Sequence, residues 1–335
     1  MRVLLTGGAG FIGTHTAVEL VAAGHEPVCF DNLSNSQAGV MSRVEQICGS
    51  RVPLIVADIR DKDAVRQVLR DHAIEAVIHF AGLKAVGEAV EKPLLYYDNN
   101  VAGSVILAEA MKAEGVKTLI FSSSATVYGS PQYLPLDEDH PTAPTNPYGH
   151  SKLMVEQIFA DLAHAEQDWS IGILRYFNPV GAHKSGLIGE DPSGIPNNLM
   201  PYISRVASGR LEQLSVYGDD YATEDGTGVR DYIHVSDLAE GHVAALDRLA
   251  SAENVYSVWN LGTGSGHSVL EVIEAFERTN GIAIPHRIVD RRAGDVASSF
   301  ASPDRALAEL GWKARFDLEE MCRSAWQFES GAKSE

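Results

Sequence analysis

Cysteine is scarce in this chain of 335 residues. The three cysteines, Cys29, Cys48 and Cys322, show no paired spacing. Such usage is typical of a reducing compartment and argues against a disulfide framework. The 12 histidines form no H-E-x-x-H motif and no cluster with cysteine, so we expect no metal site.

Positive charge is also scarce, since 27 lysines and arginines face 45 aspartates and glutamates, for a formal net charge of -18. This balance argues against nucleic acid and anionic membranes as partners, because both attract basic patches. No apolar run reaches the roughly 20 residues that span a bilayer. Because the first apolar run also follows Met1 directly, we expect no signal peptide and a cytoplasmic protein.

What the sequence does contain is a glycine cluster directly after a short apolar run at the N-terminus. The run predicts a buried strand, and an apolar-periodic helical pattern follows the glycines. Gly7 would allow a tight turn, Gly10 would leave room for a pyrophosphate, and Gly13 would let the helix lie close to the strand. The free N–H groups at the start of the helix would then bind phosphate.

The second predicted strand ends in an acidic residue, Asp31, about 20 residues beyond the glycines, where a carboxylate meets the adenosine ribose. This carboxylate would repel a 2′-phosphate, so NAD is expected rather than NADP. Asp58 and Ile59, which close the third predicted strand, repeat the pattern and could border the adenine.

Strand-like runs alternate with helical patterns through the first half of the chain, which predicts an α/β fold with a doubly wound parallel sheet of the Rossmann type. Beyond Tyr176, loops rich in glycine, proline and asparagine indicate a second, smaller, discontinuous α/β lobe. We expect an NAD-binding domain formed by residues 1–177 plus about 230–260, and a second lobe formed by 178–229 plus about 261–335. The predicted strands of the first half are Val3–Thr6, Pro27–Phe30, Leu54–Ala57, Val77–Ala81, Thr118–Ser122 and Ile171–Tyr176.

Tyr148 and Lys152 lie four residues apart at the start of a predicted helix, and therefore on one face of it. A free tyrosine has a pKa of about 10, which is too high for a base near neutrality. A neighbouring ammonium, together with a nicotinamide cation, would favour the phenolate. Ser124, at the end of its strand, would share the proton of a substrate hydroxyl. A Tyr-x-x-x-Lys pair alone is ordinary, but its position after a phosphate-binding turn and a serine-tipped strand favours a catalytic role.

These motifs resemble the extended short-chain dehydrogenase/reductase superfamily. Further segments sharpen the resemblance to the bacterial UDP-glucose 4-epimerase family, and they span the chain from the first strand to Asp295. These segments are 79–88, 96–100, 174–183, 194–202 and 223–235.

The resemblance implies an isomerase with tightly bound NAD, in which Tyr148 takes the proton of the sugar 4-OH while hydride leaves C4. The resulting 4-keto sugar would turn over in the pocket and take hydride back on its other face. A homodimer through the helices that follow Pro93 and Tyr148 is also implied. By family position, the expected catalytic residues are Ser124, Tyr148 and Lys152.

The resemblance also assigns two sets of binding residues. The residues expected to line NAD are Gly7, Gly10, Phe11, Ile12, Gly13, Asp31, Asn32, Asn35, Asp58, Ile59, Phe80, Ala81, Gly82, Lys84, Asn99, Ser122, Tyr148, Lys152 and Phe177. The residues expected to hold the UDP-sugar are Ser124, Asn178, Asn198, Leu199, Tyr217, Arg230, Arg292, Asp295 and Ser299.

Simpler interpretations of these residues remain open on sequence alone. Arg230 could pair with Asp231 or with another acid, and Lys84 could be a solvated loop lysine. Asn178 and Asn198 could satisfy loop backbone.

Ser299 falls at the family position that gates the sugar pocket. A bulky tyrosine there is associated with restriction to glucose and galactose, and a small residue with room for a 2-acetamido group. We therefore expect that N-acetylated UDP-hexoses are accepted as well. A shift of one residue would instead place Phe300 at the gate.

Two alternatives come from other functional classes. A nucleotide-sugar 4,6-dehydratase would need an acid and a base directly after the serine, where this chain has Ala125 and Thr126. A catalytically silent NAD-binding regulator would be expected to lack the tyrosine or the lysine, and this chain has both. A uronic-acid epimerase is a further relative.

Overall fold

A parallel sheet of seven strands organises the larger part of the molecule. The computed structural model describes residues 1–192, 194–251, 254–292 and 294–331. The end of the predicted second lobe, 332–335, lies outside the described residues.

Strands and helices alternate along the chain as the sequence predicts for its first half. The strands are β1 (Arg2–Thr6), β2 (Glu26–Asp31), β3 (Leu54–Val56), β4 (Ala76–His79), β5 (Thr118–Ser124), β6 (Ser170–Tyr176), β7 (Asn178–Val180), β8 (Leu214–Tyr217), β9 (Val229–His234), β10 (Tyr256–Leu261), β11 (Gly266–Ser268), β12 (His286–Val289) and β13 (Ser298–Ser299). The α-helices are α1 (Phe11–Ala22), α2 (Val40–Cys48), α3 (Lys62–Asp71), α4 (Val86–Glu91), α5 (Pro93–Tyr96), α6 (Gly103–Glu114), α7 (Pro147–Ala165), α8 (Leu199–Ala207), α9 (Val235–Ala250), α10 (Val269–Asn280), α11 (Asp304–Leu310) and α12 (Leu318–Gly331). A π-helix over Tyr97–Ala102 precedes α6, and a short 3₁₀ helix over Ala125–Tyr128 follows β5.

The large sheet has the strand order β10-β6-β5-β4-β1-β2-β3, and all of its pairings are parallel. The chain leaves β1 toward β2 on one side and returns to β4 on the other, so the order reverses between β1 and β4. In open parallel sheets, ligands bind at such a reversal, outside the carboxyl ends of the strands. The sheet therefore confirms the predicted fold class.

Both faces of this sheet are buried, as expected for parallel strands covered by helices. Val3, Leu5 and Ile78 pack with apolar residues of α1, α2 and α9 on one face. Leu4 and Val77 pack with residues of α3, α6 and α7 on the other. The two cores fix the strand ends, and with them the residues that follow each strand.

The smaller lobe contains a four-stranded sheet of β7, β9, β11 and β13 and a two-stranded sheet of β8 and β12. Its core is formed with α8, α10 and α12. The sequence predicts residues from about 230 in the first domain. Strand β9 instead joins the smaller sheet, whereas α9 packs on α1 and β10 extends the large sheet. The other bounds of the two predicted domains stay a prediction.

None of the helices within the four described ranges is both long and apolar enough to cross a bilayer.

Candidate active site

The turn after β1 brings the backbone of three segments into close contact. Gly7 has a φ of +71°, and a Cβ there would lie 2.8 Å from the Ala81 nitrogen. A Cβ at Gly13 would lie 2.5 Å from the Gly7 oxygen, so α1 can lie this close to the turn only with glycine there. Gly10, with a φ of -78°, is the N-cap of α1 and provides no side-chain cap.

The first turn of α1 therefore has N–H groups without a side-chain acceptor, which suits a phosphate. Phe11 and Ile12 form this turn and are half-buried. Asp31 ends β2 as predicted, and its carboxylate accepts from the Ala9 N–H at 3.0 Å and the Leu33 N–H at 2.8 Å. The acid thus ties the glycine turn to the second strand, and these features fit a dinucleotide.

The residues expected near the adenine form a polar cluster beyond β2 and β3. Asp58 accepts from the Arg60 guanidinium at 2.8 Å and from the Asn32 amide at 3.0 Å. The hydrogen bond from Arg60 is the largest cause that holds the pKa of Asp58 well below its usual range. Ile59 is buried beside this cluster, and Asn35 is exposed in the loop after β2.

Tyr148 and Lys152 occupy the first two turns of α7, where the sequence predicts them. Pro147 is the first residue of the helix, and the Asn146 side chain caps it by accepting from the Gly149 N–H at 2.9 Å. The Lys152 ammonium donates to the Ser122 carbonyl of β5 at 2.7 Å. Its Nζ also lies 5.9 Å from the centroid of the Tyr148 ring.

Ser124 completes this constellation at the carboxyl end of β5. Its hydroxyl accepts from the Thr126 N–H at 3.2 Å and the Thr126 hydroxyl at 3.0 Å, and it is hydrogen-bonded to Tyr148. The three expected catalytic residues therefore lie together. Thr126, which orients Ser124, is a partner that the sequence analysis missed.

Burial shifts the pKa values of both groups of the pair. Burial raises the pKa of Tyr148 to about 12, against which the hydrogen bond from Ser124 lowers it. Burial lowers the pKa of Lys152 to about 8, and the charge of Glu156 opposes this. Each shift disfavours the charged form, so a phenolate here needs additional positive charge.

The expected cofactor residues beyond β4 and β6 lie around this pair. A Cβ at Gly82 would lie 3.6 Å from Lys152 Nζ, which places the loop after β4 beside the lysine. Asn99 is buried in the π-helix and donates to the Asn100 side chain at 2.9 Å. The Ser122 hydroxyl contacts the Tyr176 hydroxyl. The remaining residues of this set are Phe80 and Ala81, half-buried after β4, and Phe177, buried after β6.

The expected nucleotide-sugar residues on the smaller lobe form two contacting pairs. Arg230 Nη2 lies 3.9 Å from the Asp295 carboxylate, so the partner of Arg230 is Asp295 rather than Asp231. The Arg292 guanidinium stacks 4.0 Å from the centroid of the Tyr217 ring. Ser299 pairs with Arg230 in the β9–β13 ladder, so the predicted gate lies next to the first pair.

Lys84 and Asn198 share a partner, Glu190, that the sequence analysis did not identify. Glu190 Oε1 accepts from Lys84 Nζ at 3.0 Å and from Asn198 Nδ2 at 2.6 Å. Lys84 is therefore paired, and the contact joins the loop after β4 to the loop before α8. Asn178 is exposed at the start of β7, and Leu199 is half-buried at the start of α8.

Known proteins resemble the chain over its full length. A UDP-glucose 4-epimerase of Bacillus subtilis (strain 168) is 58% identical over 330 residues, which cover 98% of this chain and 97% of that protein. The chain belongs to the UDP-glucose 4-epimerase family. Family membership confirms the predicted resemblance and identifies the chain as an enzyme of this class.

Solved structures of the family superpose closely on this one. The UDP-glucose 4-epimerase of Stenotrophomonas maltophila, with bound NAD and formylated UDP-arabinopyranose, has a TM-score of 0.98 and 54% identity, covering 100% of this chain and 99% of its own. That of Bifidobacterium longum, in complex with NAD+ and UDP, has a TM-score of 0.97 and 52% identity, with 99% of each chain covered.

A broader family model, described as GDP-mannose 4,6 dehydratase, matches residues 4–325, so the chain belongs to that family as well. In this structure Ala125 and Thr126 open the 3₁₀ helix after Ser124. Neither side chain carries the carboxyl group needed to remove water from a sugar.

Proposed function

We propose that this protein is an NAD-dependent epimerase that interconverts UDP-galactose and UDP-glucose at C4 through a 4-keto sugar. The observation that carries this proposal is the contact of Tyr148, Lys152 and Ser124 beside the glycine turn. NAD bound at that turn supplies a hydride acceptor and donor for C4. NAD-bound relatives support this cofactor.

The residues of this chain have separate roles in moving the proton. Tyr148 is the base that removes the proton of the 4-OH and the acid that returns it. Lys152 supplies the buried positive charge that favours the phenolate, and Ser124 shares the proton between Tyr148 and the substrate. Thr126 holds the Ser124 hydroxyl in place through two hydrogen bonds.

The smaller lobe provides the charges that a UDP group requires. Arg230 and Arg292 are suited to a diphosphate because guanidinium groups bind phosphate oxygens in pairs. Asp295 can accept from ribose hydroxyls, and Tyr217 positions Arg292 through ring stacking. Binding energy from the UDP part leaves the hexose free to turn in the pocket, which a reaction on both faces requires.

Ser299 supports a wider substrate range that includes UDP-N-acetylglucosamine and UDP-N-acetylgalactosamine. Its small side chain, paired with Arg230 in the β9–β13 ladder, would leave room for a 2-acetamido group if this position lines the sugar pocket as the family resemblance implies. Turnover of UDP-N-acetylgalactosamine below about a thousandth of that of UDP-galactose, a gap of roughly 4 kcal/mol in barrier, would contradict this specificity.

A homodimer through α5, α7 and neighbouring helices is part of the proposal. Large apolar side chains are exposed on this side of the molecule, among them Leu94 at 80% and Val90 at 62%. Met154 of α7 is exposed at 42%. Exposed apolar groups on one surface are typical of protein interfaces. The cytoplasmic location stays a prediction from the sequence.

The experiment that tests the function uses purified protein, UDP-galactose and no added NAD. Conversion to UDP-glucose is expected, together with its near-complete loss in Tyr148→Phe. A wild-type protein that converts nothing, with or without added NAD, would refute the epimerase function.

A further inference from the structure

A buried ion pair lies one helical turn beyond Lys152, outside the residues assigned so far. Glu156 follows Lys152 by four residues on α7, so Tyr148, Lys152 and Glu156 form one stripe along the helix. Arg175 on β6 donates from Nη2 to Glu156 Oε2 at 2.6 Å and from Nε at 3.1 Å to Oε1. The two side chains are 4% and 8% exposed.

The Glu156–Arg175 ion pair also contacts β5, the strand that ends in the expected catalytic residue Ser124. The Ser123 hydroxyl donates to the Glu156 carboxylate, and Ser123 is paired with Arg175 in the β5–β6 ladder. Its neighbours are Ser122, whose carbonyl accepts from Lys152, and Ser124. Three consecutive residues of β5 therefore contact α7, Ser122 through Lys152, Ser123 through Glu156 and Ser124 through Tyr148.

The charge of Glu156 raises the pKa of Lys152, against the larger effect of burial. His79 on β4 is kept neutral because burial lowers its pKa to about 3. The Phe121 ring lies 4.8 Å from Lys152 Nζ. The other titratable groups of this region are Tyr148 on the same helix, Arg175 on β6, which pairs with Glu156, and Tyr176 on β6, whose hydroxyl contacts that of Ser122.

We propose that Glu156, held by Arg175, is a positioning residue for epimerisation that keeps the proton of the Tyr148–Lys152 pair on Lys152. This inference rests on the proposed function. The pair can release one proton from either member, and catalysis requires that Tyr148 release it. A carboxylate one turn from Lys152 and two turns from Tyr148 favours the ammonium over the neutral amine.

The test removes the charge but keeps the hydrogen bond to Ser123. In Glu156→Gln/Arg175→Met both members of the buried ion pair lose their charge together, and the amide oxygen can still accept from Ser123. Loss of the carboxylate makes both members easier to deprotonate and Lys152 more so. Loss of the Arg175 cation opposes this only in part, because Glu156 lies on the same helix as Lys152, one turn away. The apparent pKa for the rise of kcat should therefore fall by about half a pH unit to one pH unit, while the plateau of kcat falls about threefold to tenfold.

The combination of a lower apparent pKa and a lower plateau distinguishes this role from simple loosening of the structure. An unchanged apparent pKa in the folded variant, with or without a lower kcat, would overturn the proposal. Glu156→Gln alone is the second variant, with the same expected direction. Glu114→Gln is the matched control, since this carboxylate also pairs with arginines, Arg66 and Arg70, but on the outer helix α6.

A second measurement does not depend on turnover. The ultraviolet absorbance of phenolate, taken as the difference between each protein and the same protein with Tyr148→Phe, reports the ionised tyrosine directly. We expect about threefold to tenfold less Tyr148 phenolate at the plateau in the charge-free variant. If the wild type shows this titration but converts no UDP-galactose, the proposed function fails, whereas the effect of Glu156 on the proton of the Tyr148–Lys152 pair stands. An equal phenolate content in both proteins would overturn that role.

Discussion

Replacement of Lys152 by methionine is expected to lower kcat about a hundredfold at pH 7. Lys152 Nζ lies 5.9 Å from the Tyr148 ring centroid, and Lys152 is buried while Tyr148 is half-buried. With an effective dielectric constant of about 20, this separation gives roughly 3 kcal/mol of attraction between the ammonium and a phenolate. That energy corresponds to about two pKa units of Tyr148, and hence to about a hundredfold less phenolate.

The pH dependence separates this effect from a general loss of structure. Because burial lowers the pKa of Lys152 to about 8, the ammonium predominates at pH 7 and its charge is available there. In Lys152→Met the pKa of Tyr148 rises, so kcat should climb about tenfold per pH unit where the wild type has reached its plateau. The assay is kcat for UDP-galactose against pH.

Lys62→Met is the control, because Lys62 of α3 forms an exposed ion pair with Glu109 of α6 and is not part of the expected site. A loss of less than about tenfold in Lys152→Met, or a pH profile parallel to that of the wild type, would refute the electrostatic role of Lys152.

Further predictions concern the glycine turn and the sugar pocket. Gly7→Ala should lower the free energy of unfolding by at least about 2 kcal/mol and reduce NAD retained on purification, because its Cβ meets the backbone of Ala81 at positive φ. Gly24→Ala, with similar φ and open space, should cost about 1 kcal/mol and retain NAD; equal effects in denaturant titrations would contradict the steric argument. Ser299→Tyr should selectively abolish turnover of UDP-N-acetylgalactosamine, and an unchanged substrate ratio would place the gate elsewhere. Arg230→Leu should raise KM for UDP-galactose about tenfold to a hundredfold with little change in kcat, as expected for a lost charge-assisted contact; an unchanged KM would exclude Arg230 from nucleotide binding.

The parts of the fold that depend on local pattern were predictable from the sequence. The first six strands follow from apolar runs separated by helical periodicity, and Pro147 marks the start of α7. The sheet to which β9 belongs was not predictable, because strand pattern gives no information on the pairing partner. Strand β10 pairs with β6, although segments of the smaller lobe lie between the two strands in the sequence.

The same limit applies to the site. Tyr148 and Lys152 are detectable because their spacing is local. Glu156 extends that spacing by one more turn, but its partner Arg175 comes from a different strand, and only the β5–β6 pairing brings the two together. Glu190, which joins Lys84 and Asn198, likewise depends on contacts between distant loops.

The most direct test of the central claim follows an isotope at the reacting carbon. UDP-galactose carrying deuterium at C4 is incubated with the protein as purified, in the presence of excess unlabelled NAD. An epimerase that keeps its cofactor bound should give UDP-glucose with the deuterium retained at C4 and none in the added NAD. Loss of the label to the added cofactor, or a 4-keto-6-deoxy product with the label at C6, would contradict the account.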